Sequence, residues 1–93
     1  MDKSIGSFIW DVSKEAANLK KHGVTFVTAA KVFQDAHRKI FTDAKHTEAE
    51  ERFFCIGKVD NKIITVRFTY REGKIRIFGA RYWRKGRGYY EKD

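Results

Sequence analysis

An α+β domain, with two N-terminal helices packed on one face of a small antiparallel sheet in the order β-α-α-β-β-β-β, is predicted by three features of the sequence. Apolar residues recur at helical spacing through residue 36, and from residue 37 the pattern shifts to strand-like runs. Two turn dipeptides, Asp60-Asn61 and Glu72-Gly73, divide the second half into segments rich in β-branched and aromatic side chains. Proline is absent from all 93 residues, as suits unbroken helices and strands in a single domain spanning 1–93.

Phe8-Ile9-Trp10 is a short apolar run suited to a first strand, after which Asp11 or Ser13 offers a side-chain oxygen to the free amides of a helix. Val12, Ala16 and Leu19 then share a helical face, Lys14, Lys20 and Lys21 point elsewhere, and Gly23 supplies the stop. Thr25 caps a second helix in which Phe26, Ala29, Ala30 and Phe33 repeat on one side. Ile40-Phe41, Arg52 to Val59, Lys62 to Tyr70 and Lys74 to Tyr82 are the remaining strands, the last three a meander.

Strand alternation predicts two unlike faces. With Glu72-Gly73 as a two-residue loop, Arg71 opposes Lys74, Thr69 opposes Arg76 and Arg67 opposes Phe78, all on one face. Ile64, Val66, Phe68, Tyr70, Ile75 and Ile77 take the other face, expected to be the core against Leu19, Phe26 and Phe33. Pairing across Asp60-Asn61 adds Arg52, Phe54 and Lys58 to the polar face. Guanidinium and ammonium groups interleaved with rings suit single-stranded nucleic acid, because cations hold phosphates while rings stack on unpaired bases.

The charge balance points the same way. Residues 1 to 51 carry eight basic and eight acidic side chains, and residues 52 to 93 carry twelve and four, so the whole net charge of +8 lies in the C-terminal part. Seven of those twelve are arginines, whose planar fork fits phosphate oxygens. No apolar run approaches the ~20 residues that cross a bilayer, no membrane contact is expected, and the expected location is cytoplasmic. Cys55 is the only cysteine, which excludes an internal disulfide and a zinc finger; its alternation with Phe53 predicts a buried small apolar residue.

The run Trp10-Asp11, Lys14, Asn18, Lys21-His22-Gly23-Val24, Phe26, Ala29, Val32-Phe33, Asp35 resembles the N-terminal signature of BrnT-type toxins. Asp43, His46, Glu50-Glu51-Arg52 and Ile56-Gly57 follow in matching order, and Thr69, Arg71, Arg76-Ile77 and Ala80-Arg81 complete the resemblance across residues 8 to 82. These toxins are small RelE-like ribonucleases of type II toxin-antitoxin modules, each neutralised by a DNA-binding antitoxin of the BrnA type. The resemblance implies a RelE-like fold, an endoribonuclease that arrests translation, RNA substrate either free or on the ribosome, and a BrnA-type antitoxin through which the toxin touches operator DNA indirectly. Two positions depart from the family pattern. Gly79 stands where a Ser usually precedes Ala-Arg, and Tyr82 to Glu91 contains Gly86 and Gly88 where the family has a charged continuous helix. Two glycines at about 1 kcal/mol each disfavour a helix, so an extra strand or mobile arm is expected there.

RNA is cut without a metal when its own 2′-hydroxyl attacks phosphorus, which calls for a base, cations on the pentavalent phosphate and an acid for the leaving 5′ oxygen. Arg67 and Arg76 are the first candidates to hold the phosphate. Arg81 matches the family motif, although strict alternation turns it toward the core unless a bulge at Gly79 or an exposed strand end releases it. His46 is the candidate acid or base by type, with Asp43 and Glu50 close in sequence to orient it, and Glu51 is a second candidate base. Arg52, Phe54, Lys58, Arg71, Lys74 and Phe78 are expected to bind RNA. Asp43, His46 and Glu50 are also the types that hold a divalent ion, but three ligands in one segment make a poor two-metal centre, so no metal and no cofactor is expected. Lys21-His22-Gly23 reads as a helix end with cations at its negative pole. The rival reading is a non-catalytic module that binds nucleic acid or the antitoxin.

Overall fold

Asp11 ends one strand and starts the first helix: its carboxylate accepts from Ser13 N at 2.8 Å and Lys14 N at 3.3 Å. The hydrogen bonds from the Ser13 hydroxyl and these two amides bring its pKa down to about 2. In this computed structural model, which describes residues 1–46 and 49–92 apart from the His46 side chain, the chain runs β1 (Asp2–Ile5), β2 (Phe8–Asp11), α1 (Val12–His22) and α2 (Phe26–Ala30). A 3-10 turn (Lys31–Gln34) extends α2. There follow β3 (Lys39–Thr42), a second 3-10 turn (Ala44–His46), β4 (Phe53–Val59), β5 (Lys62–Arg71), β6 (Lys74–Arg81) and α3 (Arg84–Glu91). No helix among the described residues is long and apolar enough to cross a membrane.

The α+β class matches the sequence reading, and the element order and sheet type correct it. The six strands lie in the order β1-β2-β6-β5-β4-β3, and the sheet is mixed because β2 pairs parallel with β6. β2 lies along the edge of β6 that the meander leaves free and runs parallel to it, with Phe8 beside Ile75 and Ile9 beside Arg76. The unforeseen β1 precedes everything; all four of its residues are exposed, which is why no apolar alternation announced it. The predicted antiparallel meander β4-β5-β6 is present, joined by Asp60-Asn61 (φ 49° and 67°) and Glu72-Gly73 (φ 53° and 76°). Both dipeptides take the left-handed backbone that two-residue hairpin loops require.

Helices α1 and α2 cover one face, over a core of Trp10, Phe26, Val32, Val66, Phe68 and Ile77, each at most 1% exposed. Gly57 lets the 3-10 turn approach β4: a Cβ there would lie 2.8 Å from Val32 Cγ1. Cys55 is buried as expected, and burial pushes its thiol up to about 12, far from a reactive thiolate. Leu19 and Tyr70, expected inside, are 48% and 55% exposed. On α1 the buried residue is Asn18, so the inward stripe is polar where the apolar count looked for leucine. Helix α3 lies on the opposite face, with Gly86 against Thr65 and the ring of Tyr89 5.3 Å from that of Phe41. Tyr90 anchors its end by donating to Asp35 Oδ2 at 2.6 Å.

Candidate active site

The hairpin β5-β6 keeps simple register from Arg71 opposite Lys74 to Phe68 opposite Ile77, then slips: Arg67 faces Gly79, Val66 faces Ala80 and Thr65 faces Arg81. Phe78 is the extra residue of a bulge. One inserted residue reverses the facing of everything after it, so Ala80 turns inward at 3% exposure and Arg81 emerges on the face of Arg67. Strict alternation is thus corrected by one position, and the release considered for Arg81 at Gly79 occurs beside it, at Phe78.

The bulge is held by α1. Asn18 Nδ2 donates to the carbonyls of Ala80 at 2.8 Å and Val24 at 2.9 Å, and its Oδ1 accepts from Ala80 N at 3.1 Å. This clamp sets the C-terminal turn of α1 beside the strands and creates a pocket of about 280 Å³. Arg67, Arg81, Lys21 and His22 line it, with the rings of Phe54 and Phe78 and a floor at Gly79. No carboxylate lines the pocket among the described residues. Burial first, then the positive charges of Lys21, Arg81 and Arg67, hold the His22 imidazole below its ordinary value of 6.5. Phe78 carries Arg52 at 4.4 Å and Lys14 at 5.4 Å over its ring, so two more cations lie against one wall residue of the pocket.

The other candidates are distributed elsewhere. Arg76 is bound to Asp2 of β1 at 2.5 and 3.2 Å, and its Nε is buried without a hydrogen-bond partner among the described residues. The Asp2 hydrogen bond raises the Arg76 pKa, and the same contact lowers that of Asp2. Arg71 makes a two-pronged bond to Glu50 at 2.5 and 3.2 Å, and Lys74 donates to Ser4 Oγ at 2.8 Å. Lys58 lies at the far end of β4, 5.9 Å over the Tyr90 ring. Glu51 is exposed, outside the pocket wall, and its carbonyl accepts from Thr69 Oγ1. The His46 side chain lies outside the described residues. Glu50, considered as a metal ligand, is committed to Arg71, and Asp43 is 5% exposed. Lys21 and His22 are the residues that sequence reasoning passed over, because cations at a helix C-terminus have a sufficient local explanation.

Two guanidinium groups, an imidazole, an ammonium group and two half-buried rings thus line one pocket, chemistry of the kind that contacts phosphate oxygens and bases of single-stranded nucleic acid. Residues 10–86 match the family model described as ribonuclease toxin, BrnT, of type II toxin-antitoxin system, and the chain belongs to that family. No curated protein matches the chain. Family membership makes RNA the substrate and an antitoxin the partner.

Proposed function

We propose that the pocket between α1 and the β5-β6 bulge is where this ribonuclease toxin cleaves RNA, by attack of the substrate's own 2′-hydroxyl and without a metal. The observation that carries the reading is the bulge at Phe78, which brings Arg81 onto the face of Arg67. Arg67 and Arg81 bind the non-bridging oxygens and stabilise the extra negative charge that develops as phosphorus becomes pentavalent. His22, kept neutral by its surroundings, accepts the 2′ proton; the 2′ oxygen bonds to phosphorus, the bond to the 5′ oxygen breaks, and Lys21 supplies that oxygen with a proton. The products are a 2′,3′-cyclic phosphate and a free 5′-hydroxyl. Phe54 and Phe78 present ring edges toward the flanking bases, and Arg52, over the Phe78 ring, adds a cation beside them.

Arg76, Arg71 and Lys74 form a second basic row, whose carboxylate and hydroxyl partners Asp2, Glu50 and Ser4 must yield before RNA can use it. Glu51 and His46 stand as the alternative proton carriers. A BrnA-type antitoxin is proposed to silence the toxin by laying an acidic segment across the same basic face, which ties it to operator DNA through that partner. Purified toxin incubated with RNA in EDTA tests the chemistry: cleavage to cyclic phosphate ends, lost in Arg67→Ala and Arg81→Ala, is the expected result. Binding without cleavage would favour the non-catalytic module, and a requirement for Mg²⁺ would favour a metal.

A further inference from the structure

Beyond the arginine pocket the same face of the molecule holds a second cleft, of about 430 Å³, between the β4-β5 hairpin and α3. Lys58 and Lys62 come from the hairpin, and Tyr82, Trp83, Arg84 and Arg87 from the end of β6 and the helix. Four cations face one carboxylate, Glu91, which itself pairs with Arg87 at 3.5 Å. Tyr82 is 48% exposed and has Lys62 Nζ 5.7 Å over its ring, so an exposed aromatic side chain sits among the charges. Trp83 joins the two cavities: Arg81, in the wall of the first, lies 5.4 Å over its ring, and Phe54, also in that wall, stacks on it at 6.0 Å.

We infer that this cleft is a second nucleotide site, which takes the phosphate and base next along the same single RNA strand that is cut in the first pocket. The inference rests on the reading of the first pocket as the cleavage site. A strand leaving Arg81 meets Trp83 and then the four cations without crossing an acidic surface, and Tyr82 gives a base an aromatic platform there. An acidic peptide would use the charges but has no need of an exposed ring between them; RNA uses both.

The test compares RNAs of about 3 and about 12 nucleotides, with 2′-deoxy versions for binding by fluorescence anisotropy, on the full chain and on Lys62→Ala/Arg87→Ala and Tyr82→Ala. Wild type is expected to bind the longer strand at least about tenfold more tightly than the shorter. The double variant should lose most of that advantage, reduce the slope of log K against log salt by about 1.4, and cleave the short RNA as before. Arg87→Lys, which keeps the charge, should restore most of the binding. An unchanged length advantage in the double variant overturns the inference, as does an equal loss on both lengths. Intact RNA binding with weakened antitoxin binding also overturns it and assigns the cleft to the protein partner. If wild type cleaves neither RNA yet the length advantage still depends on Lys62 and Arg87, the cleavage reading fails and the second site stands.

Discussion

The side chain of Asn18 and the backbone of Ala80 exchange two hydrogen bonds, 2.8 Å to the carbonyl and 3.1 Å from the amide, so one buried amide gives β6 what a neighbouring strand gives it elsewhere. Strand β2 pairs with β6 only at Ile75 and Arg76. Past the bulge α1 takes its place, and this brings Lys21 and His22 to the arginines.

Replacing Asn18 by Leu leaves the Ala80 amide and the Ala80 and Val24 carbonyls without their partner. An expected loss of about 3 kcal/mol follows from burying such groups unpaired, read as a lower urea midpoint. Asn18→Asp should fare little better, because it retains the acceptor for the Ala80 amide but loses both donors. A loss under about 1 kcal/mol would mean that water replaces the clamp and that the bulge stands without it.

The arginines should separate in kinetics. Removing Arg67 or Arg81 is expected to lower kcat by about 10² to 10³, the range for loss of one stabilising donor at a developing oxyanion. Arg76 is already bound to Asp2, so Arg76→Ala should cost at least about tenfold less in kcat and show itself mainly as faster hydrogen exchange in β1. Equal kinetic losses in all three would place Arg76 on the phosphate after the Asp2 pair opens.

His22 sets a pH dependence with a definite sign. Burial and then the charges of Lys21, Arg81 and Arg67 depress its pKa in the folded state, so below 6.5 the unfolded chain binds more protons than the folded one. The His22 contribution to stability is therefore complete above 6.5 and is lost as pH falls through the window below it. The acid limb of kcat/KM should have its apparent pKa under 6.5, and His22→Gln should abolish that limb while lowering the plateau by about 10². Persistence of the limb in His22→Gln would move the base to His46 or Glu51.

What the sequence disclosed and what it hid follow from the range of the interactions involved. The Asp60-Asn61 and Glu72-Gly73 turns, the cap Thr25, the first cap as far as Asp11 or Ser13, and the pairing of Arg71 with Lys74 depend on neighbours, and all were legible. The mixed sheet was not, since the parallel pairing of β2 with β6 joins residues more than sixty positions apart. The outward turn of Arg81 required one inserted residue, and nothing in the chemistry of Phe78 marks it as that residue. Arg76 looked available because its partner Asp2 sits in a strand with no apolar pattern. His22 and Lys21 were visible within the family resemblance but already had a reason to be there as the end of α1.

Helix α3 defies its own composition, and its two glycines account for this differently. A Cβ at Gly86 would collide with Thr65 Oγ1, a buried atom with no hydrogen-bond partner among the described residues, so the glycine permits the close seat of the helix on β5. Around Gly88 there is nothing within 4 Å. The usual gain from glycine to alanine inside a helix, about 1 kcal/mol, should therefore appear in Gly88→Ala as a raised urea midpoint. Gly86→Ala should do the opposite, because the helix must lift from Thr65 and loosen both the Trp83–Phe54 stack at 6.0 Å and the Tyr90–Asp35 hydrogen bond. Tryptophan fluorescence would report the loosened stack directly. Stabilisation by both substitutions would mean that α3 stands off the sheet in solution, and the cleft it forms with the β4-β5 hairpin would lose one wall.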